Sequence, residues 1–192
     1  MSLNHATQSG QHSYAERGLD LYETPPVATE ALLRVEDLPH SIWEPCSGRG
    51  SIARVLREAG RAVVASDIRD YGFELDFKRD FLTETKAPAN CETILTNPPG
   101  RIATEIAEHA LDLVPRVYLL LRLAFLESTR RTDILEKRGL RAVLPFRRRL
   151  PMMHRDGWTG PRASNAIPFA WFCWDRDHVG PPIINRISWE QR

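Results

Sequence analysis

Apolar residues along this chain alternate between two spacings. From Ser51 to Ala59 the apolar positions are Ile52, Val55, Leu56 and Ala59, with Arg54, Arg57 and Glu58 between them. That i, i+3, i+4, i+7 pattern predicts an amphipathic helix. A second helix is predicted over 101–113, where Ile102, Ile106, Ala110 and Leu113 share a face. Pro26 to Val35 reads as a short helix and the charged segment Ser128 to Arg138 as another. Between these, compact apolar runs at about 41–44, 62–66, 92–96 and 116–121 are too short for helices and predict buried strands. Arg141 to Phe146 and Phe169 to Trp174 read as two further strands. Alternation of this kind predicts an α/β fold, a doubly wound and mostly parallel sheet. The last two strands are expected to close it as an antiparallel hairpin at the edge. Residues 1–18 are polar and aperiodic and read as a mobile arm, leaving 19–192 as a single domain.

Three strand ends carry candidate chemistry. The run Thr93 to Thr96 leads into Asn97-Pro98-Pro99-Gly100. There a side-chain amide and two carbonyls are presented, and neither proline has an N–H to compete for them. Each proline also keeps the residue before it out of the helical region, which stiffens the turn. Such a turn either grips a planar amino group or simply connects a strand to the next helix. Upstream, Ser41 to Glu44 runs into Pro45-Cys46-Ser47-Gly48-Arg49-Gly50 and then a helix, the strand, glycine turn and helix of a nucleotide-like cradle. The following strand ends in Asp67, which either accepts the two hydroxyls of a ribose or serves as a turn residue.

In this order the motifs Glu44-Pro45-Cys46-Ser47-Gly48-Arg49-Gly50, Asp67, Asp80-Phe81 and Asn97-Pro98-Pro99 resemble those of S-adenosylmethionine-dependent amino-methyltransferases. They are most similar to the N6-adenine DNA methyltransferases, small phage- and prophage-type members included. Tyr22-Glu23-Thr24-Pro25, the run Leu121 to Glu127, and Ala170 to Trp174 extend the resemblance over roughly residues 20 to 190. It implies a Rossmann-like class I methyltransferase fold with S-adenosylmethionine as cofactor. It further implies that Glu44, Ser47, Gly48 and Gly50 line the methionine part and that Thr24 meets its carboxylate. Asp67 would take the ribose, Asp80 and Phe81 the adenine, and Asn97, Pro98 and Pro99 the acceptor amine. The implied acceptor is adenine in nucleic acid, DNA before RNA. A protein glutamine or other amide uses the same Asn-Pro-Pro chemistry, and a non-catalytic cofactor-binding module is a third alternative.

The chain departs from that family at Gly100, where an aromatic ring usually stacks on the extruded base. Phe125, Phe146, Trp158 and Trp171 are candidates to replace it, although Phe125 and Trp171 lie in apolar runs typical of a core.

Net charge over 192 residues is only +1, but it is unevenly spread. Residues 1–100 hold 10 basic and 15 acidic groups, and residues 101–162 hold 13 and 7. The middle third is therefore net +6 beside a half that is net −5. A basic face of this kind suits phosphate steering, or merely solubilises the domain. Much of it lies in the linker from Arg147 to Pro168, too long for a plain hairpin loop. Arg148, Arg149 and Arg155 are expected to contact the nucleic-acid backbone there, with Trp158 wedging or stacking where Gly100 offers no ring.

Cys46, Cys91 and Cys173 lack CxxC spacing, and the six histidines form no HxxxH pair, so neither a disulfide framework nor a metal site is expected. The amino terminus shows no secretory apolar region and no run is long enough to span a bilayer, which predicts a cytoplasmic protein away from membranes.

Overall fold

The computed structural model describes residues 23–151 and 167–190. The expected mobile arm, 1–18, and most of the long linker lie outside the described residues. Among the described residues helix α1 (Pro26–Leu33) comes first, followed by β1 (Ser41–Glu44), α2 (Ser51–Glu58), β2 (Ala62–Asp67) and the two-residue β3 (Phe77–Lys78). Next come β4 (Thr93–Thr96), α3 (Ala103–Leu113), β5 (Arg116–Arg122), α4 (Thr132–Glu136), β6 (Leu140–Pro145), β7 (Phe169–Asp175) and β8 (Ile183–Ile184). The strands form one eight-stranded sheet in the order β3-β2-β1-β4-β5-β7-β6-β8.

Strands β3, β2, β1, β4 and β5 run parallel, and β7 alone is antiparallel to its neighbours β5 and β6. The central strands read as continuous apolar runs because both faces are covered. In β5, Val117, Leu119 and Leu121 pack under α3 and α4, whereas Tyr118 and Leu120 pack under α1 and α2. Three fully buried tryptophans place their indole N–H on a partner, as burial of that polar atom requires. Trp43 donates to Ser66 Oγ (2.8 Å), Trp174 to the Ile134 carbonyl (2.8 Å) and Trp171 to the Ala28 carbonyl (2.9 Å). The last bond clamps α1 to the sheet.

Three expectations are corrected. The β6–β7 pair is antiparallel as expected, but it is not the edge, because β8 adds to β6 through Ala142–Ile183 and Val143–Ile184. Ser128 to Arg138 is not one helix. Ser128 has φ 130°, far from helical, and the segment breaks into a 3-10 turn (Thr129–Arg131) before the five-residue α4. The expected helix 101–113 starts with a 3-10 turn at Gly100–Ile102, and α3 proper begins at Ala103.

Candidate functional site

Chain direction across the sheet reverses between β1 and β4. The crossover from β1 runs through α2 on one face, and that from β4 runs through α3 on the other. Ligands of open α/β sheets bind beyond the carboxyl ends of the strands at such a switch point. An open cleft of about 690 Å³ lies there, within the range of small-molecule sites, and Thr24, Glu44, Asp67, Asp80, Phe81 and Asn97 to Gly100 all line it. Residues scattered over 77 positions of sequence, from 24 to 100, thus converge on one cavity.

The glycine turn is built around Asp67. Gly48 (φ 53°) and Gly50 (φ 75°) take left-handed conformations that residues with a Cβ rarely adopt. Gly48 N–H donates to Asp67 Oδ2 at 2.9 Å and Arg69 N–H to Oδ1 at 3.0 Å. Gly50 has a second constraint, since a Cβ there would meet the Phe73 ring at 2.3 Å. Ser47 is turned into the turn itself, its hydroxyl donating to the Glu44 carbonyl (2.8 Å). Ser47, Gly48 and Gly50 therefore shape the cradle, while Glu44, Pro45 and Cys46 form its surface.

Both acids at the strand ends are buried. Burial pushes the Glu44 carboxyl well above the ordinary range, against the opposing effect of the neighbouring Ser47 hydroxyl and the Ala53 backbone N–H. Among the described residues its Oε2 has no hydrogen-bond partner. A desolvated carboxylate oxygen without a partner, beside a cavity, fits a cationic ligand group. Burial also raises the Asp67 carboxyl, partly offset by the N–H groups of Gly48, Arg69 and Ile68. Burial likewise pushes the Cys46 thiol up, so it is no thiolate nucleophile.

Asn97 is held by a residue 73 positions away. Its Nδ2 donates to Thr24 Oγ1 at 3.0 Å, and Thr24 is 5% exposed. That bond fixes the plane of the Asn97 amide at the edge of the cleft. Thr24 owes its position to Pro25 and Pro26, which fix the entry into α1, and to the Trp171 clamp on that helix.

Asp80 is exposed, and its Oδ1 accepts from Leu82 N–H (3.0 Å), forming the cap of a 3-10 turn. The Phe81 ring packs edge-on against Trp43 (5.1 Å) and His109 (4.9 Å) and forms the floor. Ile68 and Leu82, 57% and 37% exposed, are apolar side chains on the cleft that the sequence pattern does not single out.

The residues expected at the substrate divide. Gly100 lines the cleft, and among the described residues no atom lies within 4 Å of the position its Cβ would take. Arg148 is drawn to the carboxy-terminal segment, pairing with Glu190 (2.6 Å) and lying over Trp189 (6.0 Å); Trp189 Nε1 donates to the Arg148 and Arg149 carbonyls. The arginines on the cleft are instead Arg69, Arg122 and Arg131. Arg155 and Trp158 lie outside the described residues. Of the other rings, Trp171 is fully buried, Phe146 packs on the α1 face, and Phe125 lines the cleft.

No protein-family model and no curated protein matches the chain. Solved structures do match. A candidate RNA methyltransferase of Pyrococcus horikoshii superposes with a TM-score of 0.59 at 15% identity, covering 80% of this chain and 86% of that one. The modification subunit of a candidate type I restriction enzyme from Vibrio vulnificus gives 0.58 at 13%, covering 86% and 47%. A TehB-like S-adenosylmethionine-dependent methyltransferase of Corynebacterium glutamicum gives 0.50 at 15%, covering 84% and 91%. The chain therefore has the Rossmann-like fold of S-adenosylmethionine-dependent methyltransferases. Among the described residues no helix is long and apolar enough to cross a membrane.

Proposed function

We propose that this chain is an S-adenosylmethionine-dependent methyltransferase acting on the exocyclic amine of adenine in DNA. The observation that carries the reading is the Asn97 amide, fixed by Thr24 at the mouth of β4, in the same cleft as the unpartnered carboxylate oxygen of Glu44. The cofactor fits the residues present. Glu44 Oε2 would receive the α-ammonium of the methionine part. Asp67 would accept from the ribose hydroxyls while keeping its bonds to Gly48 and Arg69. Ile68 and Leu82 would flank the adenine over Phe81, with Asp80 at its rim. Bound there, S-adenosylmethionine supplies a methyl group on a sulfonium, already activated for transfer, so no covalent enzyme intermediate is needed.

The chain's own task is the acceptor. An adenine amine delocalises its lone pair into the ring and attacks poorly. Asn97 Oδ1 and the Pro98 carbonyl would each accept one of its hydrogens and draw the nitrogen toward tetrahedral geometry, which returns the lone pair to it. The same two acceptors stabilise the positive charge that develops on nitrogen, and the prolines keep them in place without reorganisation. A base in a duplex must leave the stack to reach the cleft.

The test is methyl transfer from labelled cofactor to pooled DNA, RNA and protein. Label is expected in DNA with the wild-type chain and lost with Asn97→Ala, whose cofactor affinity stays within a few-fold. Label found in protein alone, or near wild-type turnover by Asn97→Ala, would overturn the reading.

A further inference from the structure

Past Asp67 the chain leaves β2 and loops back against the glycine turn over residues 68–76 before it rejoins the sheet at β3. The first part of this loop lies on the cleft, through Ile68, Arg69 and Tyr71. Its far end is pinned to β2: Asp76 N–H donates to the Ala65 carbonyl (2.9 Å), and Asp76 Oδ2 accepts from Ala65 N–H (2.7 Å). Between these ends the backbone turns sharply at Gly72 (φ 79°), whose N–H donates to Asp70 Oδ1 at 2.7 Å. That turn carries the Phe73 ring onto Gly50 and the outer side of α2.

The seat of this ring is specific. Three of its carbons lie 2.3 to 2.5 Å from the position of a Gly50 Cβ, so the ring fills the space that a side chain there would need. The guanidiniums of Arg54 and Arg57 lie 5.0 and 5.5 Å from its centroid, close enough to be attracted to the ring. Arg57 also reaches the Asp76 carboxylate (3.4 Å), so α2 grips both the ring and the end of the loop. Neither Gly50 nor Phe73 lines the cleft. The close approach that Gly50 permits is thus taken by the chain's own ring.

We infer that Phe73 is a positioning residue for the cofactor. Seated on Gly50, it ties the glycine turn to the wall of the cleft that carries Ile68. Ile68 is 57% exposed, so its place on the cleft follows from the course of its backbone, fixed by Asp67 on one side and by the Phe73 seat on the other. The inference rests on the cofactor reading of the cleft, in which Ile68 flanks the adenine, and goes beyond it: a ring outside the cleft sets affinity inside it. Phe73 also packs on α2, so the test must separate positioning from plain stabilisation of the fold.

The experiment is a pair of double-mutant cycles on the full chain, read as calorimetric Kd for S-adenosylmethionine. Phe73→Ala should raise Kd about tenfold, the factor expected when the seated loop falls to about a tenth of the population. Ile68→Ala should weaken binding in the wild-type chain but by less than about twofold in the Phe73→Ala chain, where the loop no longer presents it. Gly50→Ala puts a methyl group into the ring's seat. Alone it should match Phe73→Ala, and combined with Phe73→Ala it should add less than about twofold, because the seat is then empty. A ring that only stabilises the fold, or a Gly50 that meets the cofactor directly, gives additive losses, and additivity in either cycle overturns the inference. Wild-type affinity in Phe73→Ala or in Ile68→Ala does the same. Melting temperatures well above the assay temperature verify that each variant is folded; should Gly50→Ala not fold, the Ile68 cycle decides. A wild-type chain that binds no S-adenosylmethionine overturns the cofactor reading and this inference with it.

Discussion

Thr24→Val isolates what the Thr24–Asn97 hydrogen bond does. Valine keeps the branched shape of a side chain that is 5% exposed, so packing around α1 is preserved and only the acceptor oxygen goes. A net intramolecular hydrogen bond contributes about 0.5–1.5 kcal/mol. If the 3.0 Å bond from Asn97 Nδ2 acts wholly to hold Oδ1 toward the acceptor, kcat should fall about two- to thirteenfold. Thr24→Ser, which keeps a hydroxyl, should recover most of that loss. The assay is steady-state methyl transfer with cofactor Kd measured separately, and melting temperature confirms the packing. The resemblance gives Thr24 a different task, holding the cofactor carboxylate, and the two tasks separate cleanly. A carboxylate ligand lost at Thr24 raises cofactor Kd, whereas a misaligned Asn97 lowers kcat at constant Kd. A Thr24→Val chain with weakened cofactor binding and unchanged kcat would refute the positioning argument.

Two further outcomes are expected. Glu44→Gln should weaken cofactor binding yet raise the melting temperature of the ligand-free chain, because it removes a carboxylate whose ionisation burial opposes; wild-type cofactor affinity should also fall as pH drops through the raised Glu44 pKa, with proton release on binding seen calorimetrically in buffers of different ionisation enthalpy. Arg148 and Arg149 replaced together by Ala should flatten the dependence of log K for DNA on log salt by about 0.9 for each phosphate no longer neutralised, with cofactor affinity constant; the Arg148–Glu190 pair is exposed at both ends, hence weak enough to yield to a phosphate, and an unchanged slope would remove these residues from the DNA surface.

Local patterns in the sequence carried far. Strand and helix periodicities located most of the sheet, since a buried parallel strand and an amphipathic helix each leave a short-range signature. The glycine turn, Asp67 and the Asn-Pro-Pro turn were legible as strand-end turns, and the structure gathers them around one cleft at the switch point. Two strands escaped notice. Phe77–Lys78 and Ile183–Ile184 are two residues each, too short to show alternation, and Ile183 and Ile184 stay exposed. The Ser128 break escaped because a charged, periodic segment reads as helix unless the φ of one serine is known. The site's finer contacts depend on convergence that spacing does not encode. Thr24 meets Asn97 across 73 residues, and Arg131 reads as a surface charge until its guanidinium is seen against Phe125. The dense arginines after β6 stand out because charge density is visible in sequence, whereas the direction of a side chain is not.

Fold and candidate chemistry meet in the energetics of the two buried acids. A carboxyl whose folded pKa is raised costs nothing below its ordinary value. The penalty grows as pH rises from that value to the raised one and is complete above it. Glu44 and Asp67 both follow this sign, so in the ligand-free chain burial opposes the ionisation of two acids in one cleft. Neither is needed to hold the sheet, whose two faces are closed by apolar packing. Their siting makes physical sense if a cationic ligand completes them: a positive group at Glu44 Oε2 supplies the missing partner, and binding to the folded state alone returns the lost stability by mass action. The cleft is thus least favourable empty and most favourable filled. If the proposed methyl transfer takes place at Asn97, it would place positive charge on nitrogen in the same cleft, and the ionised forms of the acids that cost stability when the cleft is empty would then act on the transition state in the direction catalysis needs.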